Sequence, residues 1–293
     1  MRRIFFIWLF LVFLPATSYA EIEVQDDSGQ TFRFVQPVTR IVSLAPHATE
    51  LLFDAGASKQ VIGTVSFSDY PQAAREVPRI GDFNKIDYEK LLGLKPQLVV
   101  YWQHGNPKQM IDAIRKLGLP LFNIEPRKFS DVARSLSKLG KLLGTEKQAN
   151  QKAASFRQRL LQLKQQYSHH SAKKVRVFYQ VWNQPLMTIN KQHLINNVIE
   201  FCGGINVFAN MANKAPRVDI EAVMKKNPDT IITGLALGRE QWLKEWSRWK
   251  DLQAVKNNRV FGIDAELIVR QTPRILDGTE RMCELLELVR EDS

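Results

Sequence analysis

Asp87-Tyr88-Glu89-Lys90-Leu91-Leu92 runs on to Lys95-Pro96-Gln97-Leu98-Val99-Val100, and the same design returns as Asp219-Ile220-Glu221-Ala222-Val223-Met224 running on to Asn227-Pro228-Asp229-Thr230-Ile231-Ile232. The offsets match throughout. In each copy an Asp stands where it caps a short helix, a Glu falls in the first turn, and a Pro stops the helix and feeds a β-rich strand. A helix leading to a strand is therefore expected twice, the mark of an internal repeat.

The parallel extends outward from both copies. Asn106-Pro107 reads as a cap and first helical residue, Met110, Ile111, Ile114 and Leu117 have helical spacing, Gly118 ends the run, and 119–124 reads as a strand. In the second half 241–252 reads as helical, with Trp242, Trp246 and Trp249 at packing positions, and 259–263 as the strand. The halves also open alike: 40–44 is a strand leading through Pro46 into a helix ended by Gly56, and 175–181 leads through a loop into 196–202 and Gly203-Gly204. Strands alternating with helices predict an α/β fold of two Rossmann-like lobes, each with a mainly parallel sheet. Between them 145–167 holds no Gly or Pro, and Ala149, Ala153, Phe156, Leu160 and Leu163 recur at three- and four-residue steps. That stripe predicts one long α-helix joining the lobes and limiting their relative motion. The expected division is a leader over 1–20, an N-terminal lobe over 21–144, a linking helix over 145–168 and a C-terminal lobe over 169–293.

Arg2 and Arg3 precede the apolar run 4–14, and Ser18-Tyr19-Ala20 carries small residues where a signal peptidase reads, so a cleaved secretory signal is expected. The run is shorter than the roughly 18 residues that cross a bilayer, and no later apolar stretch is longer, so no membrane insertion is expected. Loss of the two leader arginines lowers the formal charge from +11 to +9. A basic chain suits nucleic acid, an anionic membrane face or an acidic partner, and export makes nucleic acid the poorest fit of the three. The two cysteines, Cys202 and Cys283, read as a disulfide in an oxidising compartment. With no CxxC, a metal or redox role is disfavoured.

The run Arg40-Ile41-Val42-Ser43-Leu44-Ala45-Pro46-His47-Ala48-Thr49-Glu50-Leu51-Leu52-Phe53-Asp54-Ala55-Gly56-Ala57 resembles the opening signature of the helical-backbone periplasmic binding proteins, which serve ABC importers of cobalamin, haem and iron siderophores. Within that family, Ser66-Phe67-Ser68-Asp69-Tyr70-Pro71, Ile80-Gly81-Asp82-Phe83-Asn84 and Thr272-Pro273-Arg274-Ile275 resemble the cobalamin-binding branch. The resemblance implies a monomeric periplasmic carrier with cobalamin as transported ligand, no catalytic cofactor, and an ABC permease as partner. It places Phe67 and Phe83 where relatives present an aromatic to the corrin. Some relatives carry Tyr and Trp there, and Leu267 stands where some have Trp, so the cage differs in detail. It also implies that Glu89 and Glu221, one on each lobe, meet arginines of the membrane subunits. Read from the residues alone, each is a carboxylate in a helix's first turn, stabilised there without any partner.

A corrin is a broad apolar macrocycle rimmed by amides, so its cleft calls for flat aromatic surfaces and a few hydrogen-bonding groups. Candidates at expected strand ends are Phe67, Phe83, Tyr101, Trp102 and His47 in the first lobe and Trp182, Asn183 and Arg270 in the second, with strand alternation turning one of Tyr101 and Trp102 inward and the other out. Ordinary core packing is the alternative for each aromatic, and a hydrogen-bonded loop residue is the alternative for His47. No Gly-x-Ser-x-Gly, HExxH, phosphate-binding loop or dinucleotide fingerprint occurs, and the five histidines lack zinc-site spacing. Besides a cobalamin carrier, two readings stay open: a haem or ferric-siderophore carrier of the same fold, and an exported metal-dependent enzyme or chelatase-like protein.

Overall fold

The computed structural model describes residues 21–82, 84–167, 173–236 and 239–291. The leader expected over 1–20 and the aromatic Phe83 lie outside the described residues. The chain starts with an antiparallel hairpin, β1 (Ile22–Gln25) and β2 (Thr31–Phe34), ahead of the first lobe. That lobe runs β3 (Ile41–Ser43), α1 (Pro46–Asp54), β4 (Val61–Gly63), α2 (Tyr88–Gly93), β5 (Leu98–Tyr101), α3 (Lys108–Lys116) and β6 (Leu121–Asn123). Next come α4 (Phe129–Leu143) and α5 (Glu146–Gln166). The second lobe runs β7 (Val175–Gln180), α6 (Leu194–Phe201), β8 (Gly204–Asn206), α7 (Ile220–Lys226), β9 (Thr230–Leu235), α8 (Gln241–Glu245), α9 (Gln253–Lys256), β10 (Val260–Asp264), α10 (Ala265–Ile268) and α11 (Ile275–Glu291).

Both sheets are four-stranded and parallel, ordered β4-β3-β5-β6 and β10-β9-β7-β8. Within each lobe, β5 and β9 are the third strands to form, and each lies beside the first. The repeat quoted above is therefore the helix entering that third strand. Its caps form as the sequence implies: Asp87 accepts from the Lys90 backbone N–H at 3.0 Å, and Asp219 from that of Ala222 at 2.7 Å. Each cap satisfies one of the donors left open at a helix start.

Helix α5 falls within the expected 145–168, with Ala149, Ala153, Phe156 and Leu163 buried along one stripe. It does not stand alone. Helix α4 ends at Gly144, whose φ of 69° takes the left-handed conformation that glycine adopts freely, and the chain turns back so that α5 packs along α4. Gly140 makes that contact close, since a Cβ there would meet the Ala149 Cβ at 2.3 Å. Arg159 then ties α5 to α11 through Asp277 and Glu280, at 2.5 and 3.1 Å.

The inner face of each sheet joins one continuous apolar cluster that runs from Ile41, Leu98 and Val100 through Leu136, Ala149 and Phe156 to Val177, Ile232 and Leu286. Each outer face has its own core, with Val42, Val99 and Ile114 in the first lobe and Phe178, Ile231 and Trp246 in the second. A shared close-packed core makes the lobes' mutual placement resistant to large rotation, because such interiors do not deform continuously. Cys202, at the end of α6, is bonded to Cys283 in α11 with their Cα atoms 4.7 Å apart. Closing a loop of 81 residues stabilises the fold by about 4–5 kcal/mol on chain-entropy reasoning. No helix among the described residues is long and apolar enough to cross a membrane.

Candidate functional site

Open α/β sheets present ligand sites at the carboxyl ends of their strands, and here the two sets of strand ends face each other across a cleft of about 330 Å³. The first lobe supplies Ala45, Pro46 and His47 after β3, Phe67 after β4 and Trp102 after β5. The second supplies Val181 after β7, His193 and Ile195 at the start of α6, and Glu266, Val269, Arg270 and Gln271 after β10.

Phe67 is 69% exposed, an uncommon state for a large apolar ring. Its backbone has a φ of 65°, a left-handed conformation that costs a non-glycine residue on the order of 1–3 kcal/mol. The surroundings hold it there. The Phe67 carbonyl accepts from Arg270 Nη2 at 3.0 Å, and the Ser68 carbonyl accepts from Arg79 Nη2 at 2.7 Å. Behind the turn, Thr49, Thr64 and Ser68 share buried hydroxyl contacts at 2.7 and 2.9 Å. The strain thus places an open aromatic surface in the cleft.

Tyr101 ends β5, and Trp102, the next residue, points the opposite way, as strand alternation leads one to expect. Tyr101 joins the outer core, and Trp102 lines the cleft. The Trp102 backbone N–H donates to Asn106 Oδ1 at 2.8 Å, and Asn106 Nδ2 donates to the Leu44 carbonyl at 2.9 Å, which closes the loop. Gly105 leaves room for the indole: a Cβ there would fall 1.8 Å from the Trp102 ring.

His47 is buried edge-on to Trp102, with ring centroids 5.2 Å apart. Its Nε2 lies 3.3 Å from the Ile124 carbonyl, and since a carbonyl only accepts, Nε2 carries the proton and Nδ1 is left as an acceptor. Burial pushes its pKa down to about 4, against the opposing pull of the Ile124 carbonyl and Glu125. On the facing wall His193 caps α6, its Nδ1 accepting from the Ile195 N–H at 3.2 Å. Nε2 therefore holds the proton and is a donor. Burial, aided by the charge of Lys214, pushes the His193 pKa down to about 3. Both imidazoles are neutral at pH 7. Sequence reasoning missed His193, yet the repeat could have found it: α1 and α6 follow the first strands of equivalent lobes, and each has a histidine at its N-terminal end, His47 in the first turn of α1 and His193 at the cap of α6.

Arg270 is buried, with Nη2 donating to the Phe67 carbonyl and to Asp69 Oδ1 at 2.9 Å and pairing with Glu266. Its buried Nη1 makes no hydrogen bond, and the Glu50 carboxylate lies 3.8 Å from it. Burial raises the Glu266 pKa while Arg270 opposes the shift. Besides Arg270–Asp69, two further ion pairs tie the lobes together. The fully buried Glu50 of α1 takes a bidentate contact from Arg274, at 2.9 and 2.8 Å, and that guanidinium lies 3.8 Å from the centre of the Tyr70 ring. Glu125 binds Lys214 of the second lobe at 2.7 Å and His104 Nδ1 at 2.6 Å. Burial pushes the Glu125 carboxyl up, but Lys214 and His104 outweigh it and hold the pKa below the usual range.

Trp182 and Asn183 do not line the cleft; at the end of β7 that position falls to Val181. Trp182 is half-exposed, edge-on to Trp242 at 5.5 Å with the Arg239 guanidinium 4.6 Å from its centre. Asn183 accepts from Gln180 and donates to Glu245, each at 3.0 Å, beside a separate depression near Trp246 and Trp249. Trp242 and Trp246 are buried, as their helical spacing implies, while Trp249 is partly open. Among the described residues no group of three or more His, Cys, Asp or Glu side chains is placed to hold a metal ion.

Residues 41–267 match the family model described as periplasmic binding protein. The chain belongs to the periplasmic binding protein family. This family member is 34% identical over 256 residues to a vitamin B12-binding protein of Vibrio parahaemolyticus, covering 87% of this chain and 92% of the relative. It is 35% identical over 256 residues to a vitamin B12-binding protein of Vibrio cholerae, covering 86% and 90%. Among solved structures, the periplasmic vitamin B12-binding protein BtuF of Vibrio cholerae superimposes with a TM-score of 0.79 at 34% identity, covering 87% of this chain and 98% of that one. The periplasmic haem-binding protein RhuT of a Roseiflexus species reaches 0.74 at 21% identity, a likeness of fold alone.

In this periplasmic binding protein Glu89 and Glu221 occupy equivalent first turns, of α2 and α7. Both are exposed, and neither carboxylate has an ion-pair partner among the described residues.

Proposed function

We propose that this chain is an exported carrier that captures a cobalamin in the interlobe cleft and presents it to the permease of an ABC importer, with no catalysis of its own. The observation that carries the reading is the cleft's composition: an open Phe67 ring and the Trp102 indole beside two neutral imidazoles whose hydrogen-bonding sense is fixed, with the one charged pair there, Arg270 and Glu266, bonded to each other. A corrin's apolar faces suit the rings. Its amide rim supplies both carbonyl acceptors and N–H donors, which suit His193 Nε2 and His47 Nδ1 respectively. The similarity to vitamin B12-binding proteins over most of the chain supports the same ligand class.

A ferric siderophore is anionic and calls for several free cations, whereas the one arginine that lines the cleft among the described residues, Arg270, is already paired with Asp69 and Glu266. Haem calls for an unprotonated ligand atom at iron. His193 cannot offer Nε2 to a metal without losing its cap on α6, which leaves only the Nδ1 of the buried His47 ring as an imidazole ligand among the described residues of the cleft.

Phe67, Trp102, His47, His193 and Arg270 would contact the ligand, with Phe83 as a further aromatic. Trp182 and Asn183, beside the cleft in sequence, would meet only a part of the ligand that projects beyond it. The shared core and the Glu50–Arg274 and Glu125–Lys214 pairs favour a preformed cleft, so capture proceeds with little lobe rotation. Glu89 and Glu221 would engage basic residues of the permease, where exposed rim charges act on encounter and orientation.

The test is thermal melting of the mature protein with cyanocobalamin, haem and a ferric siderophore in separate titrations. A ligand that binds only the folded state raises the melting temperature. Cyanocobalamin alone should do so; a response to haem or siderophore without one to cyanocobalamin would overturn the assignment.

A further inference from the structure

We propose that the second lobe carries a separate binding site for a tetrahedral oxyanion of the phosphate class, at the edge of its sheet remote from the cleft. The residues concerned precede strands rather than follow them: Lys173 and Lys174 lead into β7, Asp229 into β9 and Arg259 into β10. With Arg290 of α11 and the side chains of Gln253 and Asn257, they bound a pocket of about 250 Å³. Among the described residues that line it, four cations stand with one carboxylate, that of Asp229, which already accepts from the Arg176 N–H at 2.7 Å.

Arg259 decides the matter. It is 5% exposed, its Nε is buried without a hydrogen-bond partner, and its guanidinium has no ion pair among the described residues. Its backbone is fixed at the start of β10. The Arg259 N–H donates to the Ala254 carbonyl at 2.7 Å, and its carbonyl accepts from the Ile231 N–H at 3.0 Å and Thr230 Oγ1 at 2.8 Å. A buried charged donor left unsatisfied costs more than the ~1–3 kcal/mol of a neutral one. A planar guanidinium with lysines nearby matches the geometry and charge of a phosphate group.

Arg290 adds to the imbalance. Its Nε donates to the Lys173 carbonyl at 3.1 Å and its Nη2 to the Cys202 carbonyl, so its contacts are to neutral acceptors. Burial lowers its pKa, with Glu287 opposing, and a bound anion would relieve that cost. The ligand is a phosphate or phosphate ester, whether free in solution or on a lipid headgroup. Because the pocket lies away from the cleft, the inference stands whatever the carrier transports.

The experiment uses the mature protein in phosphate-free buffer at constant ionic strength, titrated calorimetrically with inorganic phosphate and, as control, chloride. Saturable phosphate binding is expected, weakened about tenfold or more by Arg259→Gln, with cyanocobalamin binding unchanged. Because Arg259 is buried, the double variant Lys173→Gln with Lys174→Gln, at two exposed positions, provides an independent reading and should weaken phosphate in the same direction. No binding beyond chloride, or binding that both variants leave intact, would overturn the proposal. Sedimentation with phosphatidylcholine vesicles, with and without phosphatidylglycerol, separates the sources: phosphate-competed capture by the anionic vesicles alone assigns the headgroup, and no capture assigns the free anion.

Discussion

Replacing Glu50 by Ala removes the carboxylate that joins α1 to the segment leading into α11. Glu50 is fully buried and receives both hydrogen bonds of a bidentate contact from Arg274 at 2.9 and 2.8 Å, with Arg270 Nη1 at 3.8 Å. Breaking a buried pair from one side costs about 3–5 kcal/mol, because the partner's charge stays behind uncompensated. Arg274 keeps some solvent access and the face of Tyr70, and these soften the loss. The lower end, about 3 kcal/mol, is therefore expected. With a urea slope of up to about 3 kcal/mol/M for a chain of this size, the unfolding midpoint should fall by about 1 M. Arg274→Met alone should cost a similar amount. Glu50→Leu combined with Arg274→Met should recover much of it, since replacing both charges by apolar groups is often neutral. A midpoint shift worth under about 1 kcal/mol for Glu50→Ala, the range of exposed pairs, would refute the idea that this pair clamps the lobes.

Three further outcomes follow from the site. His193→Ser keeps a cap on α6 but removes the Nε2 donor, so cobalamin affinity should fall by about tenfold at nearly unchanged stability; His193→Asn, which keeps both cap and donor, should retain it by calorimetry. On acidification the unfolded chain takes up protons near pH 6.5 that folded His47 and His193 refuse until about 4 and 3. Stability, present in full above pH 6.5, should then fall steadily towards pH 4, by about 3 kcal/mol from His47 alone, and urea melts at each pH would read it. The double variant Glu89→Ala with Glu221→Ala should bind cobalamin normally yet lose transport into vesicles bearing the importer; equal loss of both would count against docking through these carboxylates.

The two lobes are legible in the sequence because their signals are local. Asp87 and Asp219 cap, Pro96 and Pro228 stop, and the apolar runs after them pair in parallel; each step needs only near neighbours. The Cys202–Cys283 bridge is legible because only one pairing exists. Helix α4 is not, since Gly140 in its interior looks like a stop until Ala149 is seen packed against it. The candidate site was read in part. Phe67 stands out as an apolar residue among polar ones, whereas strand alternation says only that Tyr101 and Trp102 face opposite ways, and the packing of Tyr101 into the outer core decides which of them meets the cleft. Val181, not Trp182, faces the cleft because Trp182 finds Trp242 and Arg239 instead, partners distant in sequence. His193 was missed because its role depends on a hydrogen bond to the Ile195 backbone and on the wall opposite it. The clamps Glu50–Arg274 and Glu125–Lys214 join residues far apart in the chain, and no local pattern announces them.

Isothermal titration of cyanocobalamin into the mature protein, repeated with Phe67→Ala and Trp102→Ala, tests most directly whether a corrinoid sits between the lobes. One saturable site per chain, weakened by each substitution, is the result predicted. Heats no greater than dilution, or full-strength binding that neither substitution disturbs, would contradict it.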